Sequence, residues 1–141
     1  MKPIHSFVPA GLGLLLASCA HTDPAGTPES VSFDQARRVI EASCVHCHGS
    51  QRLAGMPSFA STRDLAALTG PGRLIVPGAP EQSRFFQVVT LSDSEIGAMP
   101  PTGHALAPHD VAVLKAWIAG GAEMPEKNVV LHPHGRAPRS R

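Results

Sequence analysis

The sequence predicts a small all-α domain. Apolar residues recur at helical spacing in two well-separated segments, 33–40 and 111–118, no segment alternates apolar and polar side chains with the period of a strand, and glycine and proline punctuate the stretches between. At 141 residues the chain has room for one such domain plus extensions. Its apolar fraction of 43% is ordinary, but aromatics make up only 4% and Tyr is absent, so bulky core-formers are few. A buried cofactor would fill the difference.

Residues 1–18 read as an export signal: Lys2, an apolar run over 7–17 too short to span a bilayer, then Leu16-Ala17-Ser18-Cys19. That tetrapeptide resembles the lipobox of bacterial lipoproteins, which implies that Cys19 becomes a lipidated N-terminus; Ala20 after it leans the sorting towards an outer membrane. The rest of the 19–30 stretch, small and polar with two prolines, is expected to be a flexible tether.

The domain is expected over 31–126. Ser32 and Gln35 fit a capping box, and Phe33, Ala36, Val39 and Ile40 share a face, which predicts a helix over Phe33–Ser43. A short helix is expected at 63–68 before Gly70-Pro71-Gly72, and another opening at Pro80 with Phe85, Phe86 and Val89 on one side. Ser92 and Glu95 suggest a further cap that Gly97 and the following prolines cut short. In the last helix Pro108 opens, Asp110 suits the first turn, Val111, Leu114, Trp117 and Ile118 form the apolar stripe, and Gly120-Gly121 closes; Ala107 is a poor N-cap. Residues 127–141, polar and proline-rich with several Arg and two His, are expected to be a mobile basic tail.

The chemistry concentrates in Cys44-Val45-His46-Cys47-His48. Two thiols separated by two residues can each add to one vinyl group of a single haem, and the adjacent histidine then lies under the iron. The competing readings lack their context: a redox-active cysteine pair wants a βαβ unit, and a zinc half-site wants a second ligand pair. With Cys19 taking lipid and Cys44 and Cys47 taking haem, none of the three cysteines is left over. His46, between the two cysteines, reads as an exposed spacer.

A haem with His48 alone would be open to small ligands, whereas a second strong ligand closes it for electron transfer. Candidates are Met56, Met99, Met124 and the histidines 104, 109, 132 and 134. Met99 lies in Gly97-Ala98-Met99-Pro100-Pro101, where a stiff non-helical loop can present a thioether, and soft sulfur suits haem iron. Met56 is so near the attachment motif that it would need a tight excursion, Met124 reads as packing, and His104 is the histidine to weigh against Met99.

Taken in order, Cys44-Val45-His46-Cys47-His48-Gly49, Pro77-Gly78-Ala79-Pro80 with Ser83, Met99-Pro100-Pro101, and Trp117-Ile118 followed by Gly121-Ala122 resemble a class I c-type cytochrome, more narrowly the short bacterial monohaem modules, over about 33–125. The resemblance implies helices packed together beside one haem c, His48 and Met99 on its two faces, and electron transfer. It also implies a proline carbonyl that accepts a hydrogen bond from the ligand imidazole, for which Pro77 is preferred over Pro71. Trp117, Arg73 and Arg84 are weighed as propionate partners, with packing for the first and solvation for the arginines as the alternatives.

A formal net charge of +1 gives no basic face for nucleic acid. The function expected is a non-enzymatic monohaem electron carrier, lipid-anchored on the periplasmic side of a bacterial membrane, exchanging electrons with redox proteins and taking no small-molecule substrate. The alternative is a haem-based ligand sensor or peroxidase-like enzyme with an open or displaceable sixth position.

Overall fold

The computed structural model describes residues 31–101 and 103–135. The signal, Cys19, the tether over 20–30 and the last residues, 136–141, lie outside the described residues.

Helix α1 spans Phe33–Ser43, as its spacing predicts. Gln35 Oε1 accepts from the Ser32 backbone N–H at 2.9 Å and from its hydroxyl at 3.1 Å, so the cap satisfies a donor that the first turn leaves free. The chain passes almost directly into α2, Val45–His48, a single turn. Helix α3 is Thr62–Ala67, one residue earlier than expected because the Ser61 hydroxyl accepts from the Asp64 N–H at 3.2 Å and fixes the start.

The helix expected from Pro80 comes in two pieces, a 3-10 turn at Pro80–Gln82 and then α4, Arg84–Thr90. The break falls at Ser83, which is fully buried: its Oγ accepts from Val76 N–H at 2.9 Å and donates to the Ala79 carbonyl at 3.0 Å. Ser83 thus satisfies the loop backbone that precedes α4, at the cost of helical continuity. Ser92 N–H donates to Glu95 Oε1 at 3.1 Å, a capped turn that goes no further. Helix α5 is Pro108–Ala119; Ala107 supplies no side-chain cap, and Gly121 turns away with φ of 105°.

Among the described residues there is no strand; isolated bridges join Ser61 to Val130 and Thr69 to Ile75. The fold is all-α, with long loops. Its protein-only core lies where α1 packs on α5: Ala36 and Ile40 meet a stripe containing Leu114, Trp117 and Ile118, each at most 1% exposed. Phe33 packs beside Trp117 at 6.3 Å between ring centroids, and the indole N–H donates to the Glu123 carbonyl at 3.0 Å.

The expected mobile tail is corrected over its described part. Leu131 is buried and its N–H donates to the Ala60 carbonyl at 2.9 Å; Thr62 N–H donates to the Val129 carbonyl, and Asn128 Oδ1 accepts from Arg63 N–H at 3.0 Å. Residues 127–135 thus form a strap that ends on α1. Glu41, only 1% exposed, accepts from His132 N–H at 3.1 Å, pairs with the His134 ring at 3.1 Å and faces Arg37 at 3.5 Å. A buried carboxylate needs such partners, and two of the three, His132 and His134, come from the segment whose composition suggested disorder.

Candidate haem site

Helix α1 ends where the chemistry starts. The Cys44 N–H donates to Ile40 at 2.8 Å, and the Cys44 carbonyl then accepts from Cys47 at 3.1 Å and His48 at 2.9 Å. Cys44 as the N-cap of α2 and Cys47 within its one turn therefore bring both thiols to one side, three residues apart, with the imidazole next to the second. Gly49 lets the chain leave at once: a Cβ there would lie 2.5 Å from the Val45 carbonyl oxygen. Cys44 is buried and Cys47 exposed. Burial first, and the neighbouring Cys47 second, push the Cys44 thiol up to about 12.

His48 is nearly buried, and its Nδ1 lies 3.1 Å from the Pro57 carbonyl oxygen. A carbonyl can only accept, so the proton sits on Nδ1 and the Nε2 lone pair is free for a metal. Pro77 does not have this role. It is exposed on a loop whose next residue, Gly78, donates to the Ile118 carbonyl at 2.8 Å, which ties that loop to the end of α5 instead. Two residues beyond Pro57, the Phe59 ring stacks on His48 at 4.9 Å.

An apolar cavity of about 370 Å³ opens beside this turn. Cys44, Cys47 and His48 line it, with Phe59, Leu74, Phe85, Val88 and Val89 as apolar wall and Met56, Met99, Pro100 and Pro101 as further lining. Met99 is 37% exposed and its N–H donates to the Val88 carbonyl at 2.8 Å; further along, Gly103 N–H donates to the Asp93 carboxylate at 2.7 and 2.9 Å. The proline loop is thus tied down on both sides of its thioether. Two thiols, an imidazole of fixed tautomer and soft sulfur around an apolar cavity fit the donor set and the apolar surroundings of a covalently attached haem. No three His, Cys, Asp or Glu side chains converge as a metal-binding group among the described residues, so nothing there completes a zinc site around the cysteine pair.

Residues 44–103 match the family described as Planctomycete cytochrome C. The chain carries a c-type cytochrome domain. No curated protein and no solved structure matches the chain. A c-type cytochrome domain implies haem c and electron transfer, and the matched stretch contains all but one of the residues that line the cavity; Ser43, one position before it, is the other.

The cytochrome domain sorts the remaining candidates. Met124 lines a separate hollow with Val31, Phe33 and Trp117, away from the cavity, and none of histidines 104, 109, 132 and 134 lines the cavity. Trp117 spends its N–H on Glu123, so it packs and does not reach the cavity. Arg73 donates to the Ala67 carbonyl at 2.7 Å, which leaves Arg84 as the one arginine or lysine lining the cavity. Met56, set aside on sequence grounds, does line it, on the same short segment as Pro57. His46 is not a bare spacer, since its Nε2 lies 3.0 Å from the His134 carbonyl oxygen. Pro57 and Phe59 were missed in the sequence, although Pro57 is the first proline after the attachment motif and that position is a usable signal.

Proposed function

We propose that this protein is a monohaem electron carrier, with haem c bonded through Cys44 and Cys47, His48 and Met99 as axial ligands, and Cys19 lipidated to hold it at a membrane outside the cytoplasm. The observation that carries the reading is that the attachment thiols, a histidine with its Nε2 lone pair free and the loop-borne Met99 thioether all line one apolar cavity. Met99 is preferred to Met56 because Met56 adjoins the segment that already supports His48, whereas Met99 arrives on an independent loop anchored to Val88. When bound, the haem supplies the one-electron couple; the chain supplies ligands, a dry wall and limited access.

The partners are redox proteins, a donor and an acceptor, met at the periplasmic side of a bacterial membrane, with the outer membrane favoured by Ala20. In this reading attachment would rest on lipid at Cys19. A tether of about a dozen residues would confine the domain near those partners and raise their effective concentration.

Two measurements test the two halves. Covalent haem on a denaturing gel is expected in the wild type and absent from Cys44→Ser with Cys47→Ser; haem that survives the double substitution refutes attachment. Labelled fatty acid is expected on the wild type and not on Cys19→Ser, and equal labelling of both removes the anchor while leaving the cytochrome reading intact.

A further inference from the structure

A hydrogen bond to Nδ1 fixes which nitrogen of an imidazole carries the proton, yet it leaves the ring plane free to swing about the axis through its two substituted ends. In this protein the Pro57 carbonyl supplies that bond at 3.1 Å. A second constraint comes from Phe59, whose ring lies against the His48 ring with centroids 4.9 Å apart and planes 29° from parallel.

Phe59 is itself held from three directions. Its N–H donates to the His48 carbonyl at 2.7 Å, its ring meets the edge of Phe85 at 5.6 Å and 81°, and it is only 4% exposed. The same residue that stacks on the imidazole is therefore fastened to the imidazole's own backbone. Simple core filling would not require a near-parallel stack on this one ring, and Phe85, in the same wall, makes an edge contact with Phe59.

We infer that Phe59 is a positioning residue for the His48 ligand: together with the Pro57 carbonyl it sets the plane of the imidazole, and its electron-rich face favours positive charge on that ring in the oxidised state. The inference rests on His48 being an axial ligand. Two consequences follow. Removing the aromatic face while keeping an apolar side chain releases the ring plane, and it destabilises the oxidised form relative to the reduced one, which raises the midpoint potential.

The test is a set of haem-loaded variants read by paramagnetic proton NMR of the oxidised haem methyls, whose spread reports the ligand plane, and by midpoint potential. Phe59→Leu is expected to redistribute the methyl shifts and raise the potential, and Phe59→Tyr to restore the wild-type pattern. Leu114→Ala, in the fully buried core of α5 and away from the cavity, is expected to lose stability without moving the pattern. Should Phe59→Leu not load haem, Phe59→Met serves with the same expectation. A wild-type pattern in the non-aromatic variant, or the same redistribution in Leu114→Ala, overturns the positioning role alone. A wild-type oxidised spectrum without imidazole ligation overturns it together with the His48 assignment.

Discussion

The two sides of the domain are built on different terms. Where α1 crosses α5, protein packs on protein: Ile40, Leu114, Trp117 and Ile118 are essentially inaccessible, and the buried indole N–H has its acceptor. On the other side, one-turn α2, the 49–61 loop, α4 and the proline loop surround an apolar slot that the side chains do not fill. With aromatics at only 4% of the chain, side chains close the α1–α5 side and leave an apolar cavity of about 370 Å³ on the other. Substitutions should therefore cost folding on the first side and change haem chemistry on the second.

The largest stability effect should come from the packed side. Trp117→Ala removes the largest fully buried side chain and its hydrogen bond, and should lower the unfolding free energy of the haem-loaded protein by about 3–5 kcal/mol in urea titrations. Its visible spectrum should barely change, because Trp117 does not line the cavity. A spectrum altered as much as the stability would erase the distinction between the two sides.

The strap sharpens the comparison, since it joins the two sides. His134→Ala takes one partner from buried Glu41 and leaves Arg37 and the His132 N–H in place, so a loss of about 1–2 kcal/mol is expected by the same titration. No loss at all would mean that the His134 contact is idle in solution.

The smallest effect is confined to the cavity before haem is attached. In a folded haem-free chain, exposed Cys47 should be alkylated ahead of Cys44, whose burial holds its thiol up to about 12 against an ordinary 9.0. An acid whose folded value is raised keeps its proton while the unfolded chain loses it, so this group costs nothing below about pH 9 and lowers stability as pH rises from there towards 12. Thioether formation abolishes the titration. Equal alkylation rates at pH 8, read by mass spectrometry, would contradict the buried position of Cys44.

What the sequence made legible follows the same division. Helix α1 could be read because it carries its own periodicity and cap, and α5 because it is an apolar run that Pro108 opens and Gly120-Gly121 closes. The attachment turn could be read because its spacing is the chemistry. Pro57 was passed over for Pro77 and Pro71: its place as the first proline after the attachment motif is the one local signal for it, and what selects it is the return of the 49–61 loop onto His48. The strap was hidden for a related reason. Its composition is that of a tail, and what orders it is Leu131 in the core and a carboxylate on α1 in need of partners, both long-range facts.

The central claim is that His48 and Met99 close one haem between them. The most direct test is the absorption spectrum of the matured, oxidised protein, wild type beside Met99→Ala, at the weak far-red sulfur-to-iron band. The band should be present in the wild type and absent from the variant, which should then bind carbon monoxide when reduced. A wild type without the band that binds carbon monoxide readily would contradict this account and favour a sensor or peroxidase-like role, and a band that survives Met99→Ala would pass the ligand to Met56.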